Sequence, residues 1–103
     1  MRKQFERIQN EMEAAFAGVA AGNMMGSPAL TCRSKVFAFF HENEMIFKLG
    51  QTTADYMGKY PGSRFLNPFK KKPPMKGWLV VPCEYHNEWA SLAVAAYENI
   101  VNK

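Results

Sequence analysis

The sequence predicts an α+β fold, a two-layer antiparallel sheet with flanking helices in the order α-β-β-β-α-(β)-β-α. Three observations predict it. Apolar residues recur at steps of three or four near both ends of the chain, the spacing of one helix face. Between those ends lie short apolar, β-branched or aromatic runs bounded by Gly, Pro and charged clusters. The chain has 103 residues, which suits one domain, residues 1–103, with a core that needs no staples.

The first helix is expected over 2–20. Phe5, Ile8, Met12, Phe16 and Val19 share a face, charges of both signs occupy the rest, and Gly22 with Asn23 end it. Mixed charge on the polar face favours core packing over a membrane surface. A strand follows over Met24–Leu30, interrupted by the Gly26–Pro28 stretch. Lys35–Phe40 and Met45–Leu49 then form a hairpin with His41-Glu42-Asn43-Glu44 turning between them. In the first arm Val36, Ala38 and Phe40 point one way, and Phe37 and Phe39 the other. Both faces are therefore apolar, so the second must meet another element or another subunit.

Gln51–Tyr60 reads as a short helix, opened by Thr52 with Asp55 three residues on and stopped by Pro61-Gly62. Residues 63–76 hold three prolines and five basic residues and read as an ordered loop with one short strand. Gly77–Pro82 is a buried strand. Asn87 caps the last helix, whose inward face carries Trp89, Leu92, Ala93, Ala96, Tyr97 and Ile100.

An ordered set of short motifs runs along this scaffold. It comprises Met24 to Leu30 (Met-Met-Gly-Ser-Pro-Ala-Leu), Lys35-Val36-Phe37-Ala38, Lys48-Leu49, Phe65 with Pro68, Pro74-Met75-Lys76-Gly77-Trp78, and Val81-Pro82. In this order the set resembles the TfoX N-terminal domain family, related in fold to MmcQ/YjbR-like proteins, over about residues 24–96. The chain departs from the usual family pattern at Met25, Ser34 and Lys72-Pro73, all at turns. The resemblance implies a YjbR-like, secretion-chaperone-like sheet flanked by helices. It also implies that Gly26, Pro28, Lys35, Phe37, Pro68, Pro74, Met75, Lys76, Trp78 and Pro82 are structural. Better-known relatives are competence regulators with a second, C-terminal domain, for which 103 residues leave no room, so their role is not carried across.

The charge is unevenly held. Net charge is +4, but residues 33–76 carry nine Lys or Arg against Glu42, Glu44 and Asp55. That segment makes Lys59, Arg64, Lys70, Lys71, Lys72 and Lys76 candidates for nucleic-acid binding, with Phe65, Phe69 or Trp78 for stacking. A solvated loop, or lysines that keep strand edges from pairing between molecules, explains the same charge. Glu42 and Glu44 read as a solvated turn with no pocket nearby, and Gly26-Ser27-Pro28 as a turn or bulge rather than a nucleophile site.

No nucleophile elbow, phosphate-cradling loop or zinc signature is present, so no catalytic residue, metal site or cofactor is assigned. Cys83 and His86 are three apart, but Cys32 and His41, nine apart, do not make the second close pair that structural zinc uses. Two cysteines and a charged N-terminus point to a cytoplasmic chain without a signal peptide or membrane span. The expected function is that of a non-enzymatic interaction or regulatory domain. Its partner is another protein or a second copy meeting the apolar sheet face, with nucleic acid as the alternative.

Overall fold

The computed structural model of the protein describes residues 2–24, 26–67 and 75–102. It opens on α1, Arg2–Ala15, with Phe5, Ile8 and Met12 buried. The helix stops five residues short of the expected end, because Gly18 takes a φ of 89°, which favours glycine and breaks the helical path. Val19–Met24, including Gly22 and Asn23, is instead strand β1. Phe16 and Val19 still reach the same core, one from the turn and one from the strand, so the apolar spacing outlives the helix.

Three more strands follow: β2 (Ser27–Cys32), β3 (Lys35–His41) and β4 (Glu44–Lys48). Four strands thus precede the second helix where three are expected. Pro28 pairs only with Asn23 of β1, at the end of β2 where no bond to β3 is lost. Both remaining hairpins close on two residues. Arg33-Ser34 and Glu42-Asn43 all have φ between 50° and 70°, the left-handed geometry that matches strand twist. The turn expected over four residues is therefore half that length, and His41 and Glu44 belong to the sheet.

A 3-10 turn at Gly50–Thr52 leads into α2, Thr53–Lys59. Thr52 does not cap it; its hydroxyl donates to the Leu49 carbonyl at 2.7 Å, closing the turn before the helix. After α2 come β5 (Arg64–Leu66), the expected short strand, and β6 (Met75–Val81). Asn87 lies inside a second 3-10 segment, Cys83–Glu88, and Glu88 stands before α3, Trp89–Val101, with no side-chain cap.

The six strands form one antiparallel sheet in the order β1-β2-β3-β4-β6-β5. On its first face α1 and α3 bury Phe5, Ile8, Met12, Trp89, Leu92, Ala93 and Ala96 against Leu30, Phe37, Phe40, Met45, Phe47, Leu79 and Val81, with Tyr56 and Met57 of α2 at the rim. Each of the larger side chains contributes about 1.5–3 kcal/mol by leaving water. The α+β, two-layer arrangement is the one the sequence predicts.

One face assignment is reversed. Leu30 pairs with Ala38 but Thr31 pairs with Val36, so Phe37 is an extra residue in β3, a β-bulge. The bulge puts Phe37 on the helix side with Ala38 and Phe40, and Val36 on the opposite side with Phe39.

That opposite face carries a second cluster built only from strand residues: Ala29, Phe39, Ile46, Trp78 and Val80, with Met24, Val36 and Leu66 around them. Phe39 and Trp78 meet edge to face at 5.7 Å. None of the five is more than 8 % exposed. The face therefore does not stand open as the apolar docking surface that the sequence suggests. Among the described residues, Val101 is the one large hydrophobic side chain left exposed.

Candidate functional site

Strand register aligns the second face in two rows. Ala29, Phe39, Ile46, Val80 and Arg64 are successive cross-strand partners along β2, β3, β4, β6 and β5. One rung nearer the strand ends, His41 pairs with Glu44, and Ser27 of β2 lies beside His41. An apolar row thus runs beside a polar one, because successive side chains of one face are two residues apart.

The rows enclose a cavity of about 580 Å³, lined by Phe39, Ile46 and Val80 on its apolar side and by Ser27, His41, Glu42, Glu44 and Arg64 on its polar side. Phe65, Leu66 and Asn67 also line it. A pocket therefore does lie beside Glu42 and Glu44, contrary to the expectation of a bare solvated turn.

Two polar pairs are fixed in it. Ser27 Oγ and His41 Nδ1 share a hydrogen bond of 2.9 Å, and His41 Nε2 stands 3.5 Å from Glu42 Oε1. With the Nε2 proton turned toward Glu42, Nδ1 accepts from the Ser27 hydroxyl, leaving the serine lone pairs for a ligand. Ser27 is only 7 % exposed, so this bond satisfies a hydroxyl that would otherwise be costly to bury. Opposite, Arg64 donates from both terminal nitrogens to Glu44, at 2.7 and 2.9 Å. Those bonds hold the Arg64 guanidinium above its ordinary pKa, with desolvation opposing them and the charges of Glu44 and Glu42 adding to them.

The expected basic surface is not assembled by the described residues. Arg64 lines the pocket and is engaged by Glu44, whereas Lys59 sits on α2 with its ammonium 5.2 Å from the Tyr56 ring. Pro68, Lys70, Lys71, Lys72 and Pro74 lie outside the described residues, as do the side chains of Met75 and Lys76. Of the motif residues, Phe37 and Trp78 are buried, Gly26 takes a φ of 81° in the β1–β2 turn, Lys35 is exposed at the start of β3, and Pro82 follows β6.

Cys32 is buried and Cys83 exposed, and both are free. His86 Nδ1 lies 3.1 Å from the Cys83 carbonyl oxygen, a local contact within one 3-10 turn. Among the described residues no three His, Cys, Asp or Glu side chains gather as a metal site, and no helix is long and apolar enough to cross a membrane. No family model, curated protein or solved structure matches the chain.

Proposed function

We propose that the chain is a non-enzymatic regulatory domain that works by binding, and that the pocket on the second sheet face is its binding site. The observation that carries this reading is the pairing of an apolar floor, Phe39, Ile46 and Val80, with two pre-fixed polar pairs, Ser27–His41 and Glu44–Arg64. A few placed polar groups over an apolar wall is the make-up of small-molecule sites, and about 580 Å³ falls within their usual range of roughly 300–1,000 Å³. The ligand is a small molecule with an apolar body and one hydrogen-bonding end that meets Ser27 and His41. The regulatory part rests on the sequence resemblance over residues 24–96 alone, without the competence role of its better-known relatives. Nucleophilic catalysis has less support, because Ser27 opens β2 after a β1–β2 hairpin turn and is not on the strand-to-helix elbow that exposes a nucleophilic serine.

The test is amide chemical-shift mapping of the full chain against small aromatic alcohols and amides. Binding is expected to move the signals of Ser27, Phe39, His41, Ile46 and Val80. His41→Ala is expected to weaken it by about 1 kcal/mol, roughly fivefold. A set of probes that moves none of these signals overturns the proposal. Covalent labelling of Ser27 by a fluorophosphonate overturns its non-enzymatic part.

A further inference from the structure

The two edges of the sheet are unlike. At one edge β5 is three residues long, opens on Arg64 and loses its regular pairing with β6 after Phe65. Short length, charge and irregularity are the devices that keep a strand edge from pairing with another chain. At the other edge β1 has none of them. It runs six residues, Val19–Met24, in unbroken register with β2. It contains no proline and no bulge, and from Ala14 to Cys32 the chain carries no charged residue.

The outer side of β1 is also open. Ala20, Ala21 and Asn23 are exposed, and among the described residues β1 has no neighbour but β2 in the strand order. Half the backbone N–H and C=O groups of an edge strand point away from its one partner, and here small side chains leave them accessible.

From this we infer that β1 is an assembly edge, and that its occupant is β1 of a second copy of this chain, paired antiparallel across a two-fold axis. Two features select a second copy. Antiparallel pairing of a strand with itself is self-complementary, so a two-fold dimer satisfies both edges at once. The uncharged hairpin has no side-chain charge with which to select a charged partner, and it does not repel its own copy although the chain as a whole is +4. Gly22 adds accessibility and not selectivity: an added methyl there would come within 2.5 Å of Thr31 Cγ2, so the middle of the edge stays without a side chain. The result joins two six-stranded sheets into one, with the helices of both copies on the same side. This inference uses β1 alone and stands apart from the pocket.

Sedimentation equilibrium of the full chain over a concentration series tests it. The expected species is twice the 11.7 kDa chain mass, and Ala21→Lys or Asn23→Lys, each on the exposed edge, is expected to weaken it at least about tenfold. Hydrogen exchange gives a second readout, in which amides of residues 20–24 gain protection as concentration rises while those of 64–66 do not. A wild-type chain that stays at 11.7 kDa up to roughly 1 mM overturns the inference. So does a dimer that survives both lysine substitutions, and so does a monomer that pairs β1 only with an added extended peptide.

Discussion

Arg64 of β5 reaches past β6 to Glu44 of β4 and holds both carboxylate oxygens, at 2.7 and 2.9 Å. The bond ties together strands that are not neighbours and fixes one wall of the pocket. Arg64 is 57 % exposed and Glu44 23 %, so water screens the pair and its share of stability is modest. Arg64→Ala is expected to cost about 0.5–1 kcal/mol in urea unfolding, and a double-mutant cycle with Glu44→Gln should show coupling of that size. Coupling near zero would show that the geometry carries no energy.

Gly22 and Thr31 make a sharper prediction. Gly22→Ala forces its new methyl against Thr31 Cγ2 and is expected to destabilise the chain by about 1–3 kcal/mol. Thr31→Ser removes that methyl but keeps the hydroxyl that donates to the Ala20 carbonyl. The double variant should therefore recover most of the loss in thermal unfolding, and failure to recover would mean that the backbone at 22, not the contact, demands glycine.

Alkaline stability should depend on Tyr60. Burial, then the charge of Glu88, then Tyr56, push its phenol above the ordinary value of 10.0. The folded state therefore keeps a proton that the unfolded chain releases first. This contribution is intact below pH 10 and fades as pH rises from there through the folded-state value. Tyr60→Phe should flatten the fall in unfolding midpoint above pH 10, whereas an unchanged slope would assign the fall to other groups.

The nucleic-acid alternative rests on the basic 59–76 segment and is tested at Lys70, Lys71 and Lys72. If that segment binds single-stranded DNA, the plot of log affinity against log salt should lose about 0.7 in slope for each lysine reversed to Glu. Measured binding whose slope ignores all three reversals ends that reading. Pocket binding of an uncharged probe should be indifferent to the same substitutions.

Much of the fold was legible because its apolar runs mark where the elements lie. The stripe of α1 and the inward face of α3 came from helical spacing, and the strands around Phe37, Ile46 and Leu79 from short apolar runs between Gly, Pro and charged clusters. The pocket was hidden by the length of a turn. Reading four turn residues takes His41 and Glu44 off the sheet, whereas two put them opposite each other, beside Ser27 and within reach of Arg64. No Asn-Gly marks that turn; Glu42 adopts a φ of 50° at a conformational cost that local sequence does not advertise. The helix over 2–20 failed for a related reason, since Phe16 and Val19 kept the core's spacing after the backbone had left the helix.

The bulge at Phe37 separates the length of β3 from its phase. Both Phe37 and Ala38 face the helices, so a chain lacking Phe37 would keep Val36 beside Phe39 on the other side and preserve every remaining partnership of the strand. It would lose one aromatic ring from the core and nothing from the pocket. Deletion of Val36, by contrast, would carry Lys35 over to the face where Val36 now packs. Along this strand, register after a deletion is set by phase and not by burial: the fully buried Phe37 is the position whose absence leaves the sheet's pairing intact, although the lost ring opens a hole in the core.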